Sequence, residues 1–158
     1  MAATDNAAHR FPVSVKGVVI DPVGRVLLLR NERDEWELPG GKLELGEDPA
    51  ACVAREIEEE ASWPVTVQAI LDSWLYHIAE DVDVLIVTYG CRLDTDRPPV
   101  LSHEHKEIGL FTETEVPKLT MPDGYKRSVR DWYGRRRRSS QSHGDPVGPQ
   151  SAKGLSRR

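Results

Sequence analysis

Apolar positions in this chain fall in short runs separated by turn residues, and one long amphipathic segment interrupts them between Pro49 and Ala61. Val13, Val15, Val18, Val19 and Ile20 lead into Asp21-Pro22-Val23-Gly24, and Val26 to Leu29 follow. That pattern predicts two largely buried strands joined as a hairpin. A polar loop, Asn31 to Glu35, is closed by Trp36, Leu38 and Pro39 ahead of Gly40-Gly41. Val65 to Leu71 reads as a strand. Trp74 to Ile78 and Val82 to Arg92 read as a hairpin across Ala79-Glu80-Asp81. Within it, Val84-Leu85-Ile86-Val87 is the near-continuous apolar run of a central strand. Leu110-Phe111 marks another short strand, and Glu113 to Leu119 a short helix. Tyr125 to Tyr133 is a last helix with Val129 and Trp132 or Tyr133 turned inward.

The segment from Pro49 carries its own start signal, with Asp48 at the N-cap and Pro49 at the first helical position. Pro64, three residues past Ala61, is a stop signal. At about 100° per residue, Ala50, Val53, Ala54, Ile57 and Ala61 form the core face. Glu56, Glu59 and Glu60 share an adjoining face at i, i+3 and i+4. That face is costly in isolation. Like charges at this spacing cost roughly 0.2–0.5 kcal/mol per pair, and anions in the last turns oppose the helix dipole by about 0.3–1 kcal/mol each. Hard divalent cations reverse the sign of the argument, because several carboxylates on one rigid face supply the oxygen ligands they need. The plainer alternative is a solvated acidic face. Gly40-Gly41, which lets backbone approach a ligand closely, and the flanking Glu47 and Arg55 make the segment an organised charge network instead.

Composition narrows the class. The chain has 158 residues, 39% hydrophobic and 30% charged, which suits one domain with one core. No apolar run approaches a membrane span, and Met1 to Arg10 lack the apolar stretch of a secretory signal. Only Cys52 and Cys91 occur, which excludes a disulfide framework and makes a reducing cytoplasm the default. The net charge of −5 hides a split: from Lys126 onward ten Lys and Arg face two Asp and Glu, whereas residues 1–125 hold 11 basic and 24 acidic residues. An acidic body repels an anionic substrate unless something local reverses the sign. The organisation expected is a flexible N-terminus over 1–10, a domain over 11–134, and a basic, Ser/Gly/Pro-rich disordered tail over 135–158.

The segment GKLELGEDPAACVAREIEEEASW resembles the Nudix box: Gly, five residues, Glu, seven residues, Arg-Glu-aliphatic, one residue, Glu-Glu, one residue, Gly-aliphatic. Gly41, Glu47, Arg55, Glu56, Ile57, Glu59 and Glu60 stand in register. At average residue frequencies the six exact matches arise by chance with odds on the order of 10⁻⁵. Trp36-Glu37-Leu38-Pro39-Gly40-Gly41 resembles the usual lead-in, and Ser102-His103-Glu104-His105 before Leu110-Phe111 a later acidic loop and strand, so the resemblance covers residues 11–133. Two positions depart: Ser62 stands where the box has Gly, and Trp63 where it has an aliphatic residue. The Gly ends the helix in a left-handed conformation, which Ser adopts at a cost of about 1 kcal/mol.

The resemblance implies an α/β fold, a Nudix-like α/β/α sandwich with a mixed β-sheet. It also implies a metal-dependent hydrolase that cleaves a diphosphate linkage in a nucleoside diphosphate derivative. Carried over residue by residue, Glu56, Glu59 and Glu60, with the Gly40 carbonyl, are the expected ligands of Mg²⁺, for which Mn²⁺ is a substitute. Glu59, Glu104, Glu47 and Arg55 are the expected catalytic group. The general base is a box glutamate or Glu104 in the later loop, with Glu107 next in line, while Glu47 and Arg55 orient the ligand carboxylates. His103 and His105 are loop residues with a lesser claim as ligands. Trp36, Trp74, Tyr76 and Tyr89 either stack on a base or sugar or sit in the core. Cys52, with no base near it in sequence, is inert packing.

Ile78 stands where ADP-ribose-specific members carry a proline. That favours a nucleoside triphosphate, damaged ones included, and leaves a nucleotide sugar such as ADP-ribose open. The alternative function is a catalytically silent Nudix-like nucleotide-sensing or interaction module. The partner expected is a nucleotide-type small molecule, with no membrane, and with nucleic acid engaged only through the basic tail. The assembly is a monomer or a homodimer.

Overall fold

The computed structural model describes residues 8–103, 105 and 107–144. Its first two strands, β1 (Val13–Val19) and β2 (Arg25–Arg30), are buried along almost their whole lengths. Between them, the Asp21 carboxylate accepts hydrogen bonds from the Val23 and Arg25 amides at 3.1 and 2.8 Å and fixes the turn. The hairpin expected there does not form. A single bridge, Ile20 to Val26, joins the two segments, and the strands enter different sheets. Each is the middle of its own sheet: β1 lies between β4 (Gly40–Lys42) and β6 (Val82–Leu93), and β2 between β3 (Trp36–Glu37) and β7 (Glu107–Thr112). Two-sided burial of both strands is the reason, because partners on both edges leave no room for a shared ladder.

The larger sheet runs β4-β1-β6 and then β5 (Val65–Ala79), and is mixed, with β1 and β6 parallel and the other neighbours antiparallel. The smaller, β3-β2-β7, is antiparallel. One strand, β5 (Val65–Ala79), replaces the two expected between Val65 and Ile78. Bulges after Val67, Ile70 and His77 absorb the breaks in its alternation and let the ladder with β6 continue.

Helix α1 (Pro49–Ala61) closes one face with Cys52, Val53, Ile57 and Ala61 against Val15, Val19, Tyr89 and Cys91. Helix α2 (Asp123–Gln141) closes the other with Tyr125, Val129, Trp132 and Tyr133 against Val18, Val84 and Ile86. The result is the α/β/α arrangement expected, with its strands divided between two sheets. The 113–119 helix is reduced to a 3-10 turn, Val116–Lys118, around Pro117.

The last helix outruns its expected end at Tyr133. Gly134 costs about 1 kcal/mol inside a helix, yet arginines are good helix formers, and Asp131 pairs with Arg135 at 3.0 Å across one turn. Arg135–Arg138 are therefore helical and do not begin a tail. Residues 145–158 of the expected tail lie outside the described residues. No described helix is long and apolar enough to cross a membrane.

Candidate active site

Two caps fix α1 over the Gly40-Gly41 strand. Asp48 accepts from the Ala51 amide at 3.0 Å. At the other end Ser62 takes the left-handed conformation, φ 55°, and its amide donates to the Glu58 carbonyl at 2.9 Å. Serine thus does the work of the box glycine. Trp63 is 2% exposed and donates through Nε1 to the Arg97 carbonyl at 2.9 Å, filling with an indole the place of an aliphatic side chain.

The box carboxylates divide into two kinds. Glu60 is 2% exposed. One of its oxygens accepts from the Gly40 amide at 3.2 Å, and the other, Oε2, is buried with no hydrogen-bond donor among the described residues. Burial pushes its carboxyl up to about 8, against the pull of Lys16 and His105. Glu56 lies beside Gly41 so closely that a Cβ there would stand 2.5 Å from its carboxyl carbon. Gly40, at φ 143°, packs against the β1 backbone with no space for a side chain.

Glu59 is different: its side chain is 59% exposed and turned to Arg55 at 3.1 Å. The Arg55 guanidinium gathers three carboxylates. It is bidentate to Glu47 at 2.8 and 3.2 Å and lies 3.1 Å from Glu56 as well as from Glu59. The bond to Arg55 holds the Glu47 carboxyl down to about 2. Glu47 and Arg55 therefore meet as expected. Glu56, Glu59 and Glu60 share a helix face without converging, and among the described residues no three His, Cys, Asp or Glu side chains are grouped closely enough to hold a metal ion.

Three further residues complete the buried charge. Lys16, 6% exposed in the middle of β1, lies 3.8 Å from Glu37 and donates to the Gly40 carbonyl at 3.5 Å. His105 Nε2 stands 3.2 Å from Glu37 and 3.6 Å from Glu60 Oε2. Burial works to raise the Glu37 carboxyl, but bonds from His105 and Asn31 and the charge of Lys16 outweigh it and hold it low. The bond to Glu37 raises His105 in turn, against its burial. The visible signal for this layer was a lysine inside the apolar run Val13 to Ile20, which a solvated face does not explain.

Glu104 lies outside the described residues. Glu107 is 53% exposed and pairs with Arg30 at 3.4 Å, which places it at the surface. Tyr89 is buried in the core under α1. Trp36 packs edge-on against Phe111, and Trp74 against Tyr125. Tyr76, half-buried, donates its hydroxyl to Glu35 at 3.1 Å. The Cys52 thiol is buried and pushed up to about 11, first by burial and then by Glu47, so it is unreactive at neutral pH.

The donor chemistry of these residues, though not their present spacing, fits a divalent cation. Among the described residues Glu37, Glu47, Glu56, Glu59 and Glu60 form ion pairs only with Arg55, Lys16 and one imidazole, and the buried Glu60 Oε2 has no hydrogen-bond donor. A glycine strand thus lies under a carboxylate helix in an α/β/α sandwich.

The sequence profile of the NUDIX domain matches residues 10–133, and the chain belongs to that family. It is 49% identical over 59 residues to a MutT-like protein of Streptomyces ambofaciens, covering 37% of this chain and 38% of that one. It is 32% identical over 111 residues to a Bacillus subtilis protein provisionally named ADP-ribose pyrophosphatase YjhB, covering 67% of this chain. The match spans about half of that relative, 52% of its length. The crystal structure of a MutT protein from Methanosarcina mazei Go1 superposes with a TM-score of 0.66 at 24% identity, over 86% of this chain and 99% of that one.

Proposed function

We propose that the chain is a divalent-cation-dependent diphosphohydrolase that cleaves a phosphoanhydride bond in a nucleoside diphosphate derivative. The observation that carries this reading is Glu60: a carboxyl group 2% exposed, fixed to the Gly40 amide, with its second oxygen buried and without a hydrogen-bond donor among the described residues. A buried carboxylate left in that state costs stability, and a cation ligand role accounts for it. Glu56, Glu59 and Glu60, with the Gly40 carbonyl, would hold Mg²⁺, or Mn²⁺ in its place. The bound cation supplies charge neutralisation at the diphosphate oxygens and a lowered pKa for water.

The remaining roles belong to the chain itself. Arg55 restrains Glu47 and Glu59 and spreads one positive charge over the carboxylate face. Glu104, next to His105 in sequence, is the proposed general base, and a proton taken from water there stays on its carboxyl until solvent removes it. Glu37 and Lys16 keep the floor of the site rigid beside Gly40.

The substrate class is a nucleotide-type small molecule. The name of the Bacillus subtilis relative supports a nucleotide sugar such as ADP-ribose, and Ile78 supports a nucleoside triphosphate, damaged ones included. Both cysteines are free and buried, which supports a reducing, cytoplasmic setting. A panel of ADP-ribose, dinucleoside polyphosphates and canonical and oxidised nucleoside triphosphates with Mg²⁺ tests the reading. Turnover should vanish in EDTA and return with Mg²⁺ or Mn²⁺. Undiminished hydrolysis in chelator, or none of the panel cleaved, would overturn it, and the second result would leave a silent nucleotide-sensing module.

A further inference from the structure

The site lies along α1, yet a cavity of about 530 Å³ lies elsewhere, against α2. That volume is in the range of small-ligand pockets. Its floor is apolar, with Val116, Pro117 and Val129, and its rim carries Lys126, Arg127 and Arg130 along with Glu113 and Asp123. The rim cations begin a longer ridge. Helix α2 holds seven basic residues, six of them arginines, against Asp123 and Asp131.

Three of the seven are engaged with carboxylates: Arg127 with Asp72 at 3.5 Å, Arg135 with Asp131 at 3.0 Å and Arg137 with Glu113 at 2.6 Å. Lys126 donates to the Pro117 carbonyl at 2.9 Å. Among the described residues Lys126, Arg130, Arg136 and Arg138 have no carboxylate within ion-pair distance. Lys126, Arg130 and Arg138 fall within about 120° of the helix circumference over a rise of about 18 Å, enough for a row of phosphates, whereas Arg136 lies on the side of Trp132, beside Gln68 and Arg92.

We infer that the outer face of α2 binds a single-stranded phosphodiester chain, with phosphates along the Lys126–Arg138 ridge and one nucleoside against the Val116-Pro117-Val129 floor. Three features select this occupant. The ridge reverses the sign of an otherwise acidic body, in which residues 1–125 carry 24 acidic and 11 basic residues. Guanidinium groups match phosphate oxygens two at a time, where lysines would give only point charges. A lipid surface would require exposed apolar side chains for insertion, and none of the exposed large hydrophobic residues lies on α2.

The test is binding, which separates it from the hydrolase reading. A fluorescein-labelled single-stranded RNA with a 5′-hydroxyl carries no phosphoanhydride bond, so its anisotropy with the full chain reports the ridge alone. With three cations on phosphates, the logarithm of affinity should fall against the logarithm of salt with a slope of about −2, at roughly −0.7 per phosphate. The combined variant Lys126→Gln, Arg130→Gln and Arg138→Gln should bind at least about tenfold more weakly with a slope near zero, at an unchanged melting temperature. A chain ending at Gly144 should bind as the full chain does. Equal affinity in the combined variant, binding lost only when residues 145–158 are removed, or displacement by polyglutamate as readily as by unlabelled RNA would each overturn the inference.

Discussion

The two helices are both amphipathic and cover opposite faces of one sheet, but they handle charge in opposite ways. In α1 part of the charge is turned inward: Glu60 is 2% exposed and Glu56 is largely covered, at 16%, while Glu59 beside them is 59% exposed. In α2 the charged face is turned outward, and its arginines stand in solvent, with Arg137 59% exposed. Exposed charge costs a helix little and can follow from solubility alone. Buried charge of one sign is expensive, so its presence in α1 has to be explained by what it binds. That contrast separates a site from a surface before any chemistry is assigned.

The largest effect should come from Glu60. Glu60→Gln keeps the acceptor for the Gly40 amide and removes the group that can ionise onto a cation. Turnover should fall by about 10²-fold or more, as when a catalytic group is displaced, while the metal-free melting temperature holds or rises. A lower melting temperature with intact turnover would make Glu60 a structural residue.

Gly41→Ala comes next. Its Cβ would stand 2.5 Å from the Glu56 carboxyl carbon, and that carboxylate is the end of a flexible side chain that can swing away. Stability should fall by no more than about 1–3 kcal/mol, the usual cost of overpacking, and turnover should fall with it because Glu56 has moved. Unchanged turnover would remove Glu56 from the site.

Arg55 offers a pH test. Glu47 is held at about 2 from its ordinary 4.5, so its contribution is present above 4.5 and is lost as pH falls through 2. Melting temperature followed across that window should decline in the wild-type chain and decline less in Arg55→Met. Parallel curves would show that the pair contributes nothing on the acid side.

Ser62→Gly should be the mildest change. Glycine relieves the left-handed position at φ 55°, for a gain of up to about 1 kcal/mol, with the rate within a few-fold. A rate change of about 100-fold, near 2.7 kcal/mol in the barrier, would place Ser62 against substrate.

Helix α1 was fully legible from sequence, because Asp48, Pro49 and the apolar spacing are local signals and its bounds depend on nothing distant. The hairpin of β1 and β2 was misread for the opposite reason. Which sheet a strand joins is decided by partners as far away as Glu107–Thr112 and Val82–Leu93. The merging of β5 into one strand likewise rests on bulges that only its pairing with β6 reveals. In the site, spacing put Glu47 and Glu59 within reach of Arg55, and both pair with it. It did not show that Glu60 stands apart from that network, buried against the Gly40 amide. Nor did it assemble Lys16, Glu37 and His105, three residues from three separate segments that only the folded chain brings to one place.

Direct binding of a paramagnetic cation is the sharpest test of the contrast between the helices. Titration of the full chain with Mn²⁺, with the free ion counted by electron paramagnetic resonance, should show bound Mn²⁺ that Mg²⁺ displaces. Glu60→Gln should weaken that binding by at least about tenfold, and the combined Lys126, Arg130 and Arg138 variant should leave it unchanged. Equal Mn²⁺ binding by the wild-type chain and Glu60→Gln would contradict the assignment of α1 as the cation-holding helix.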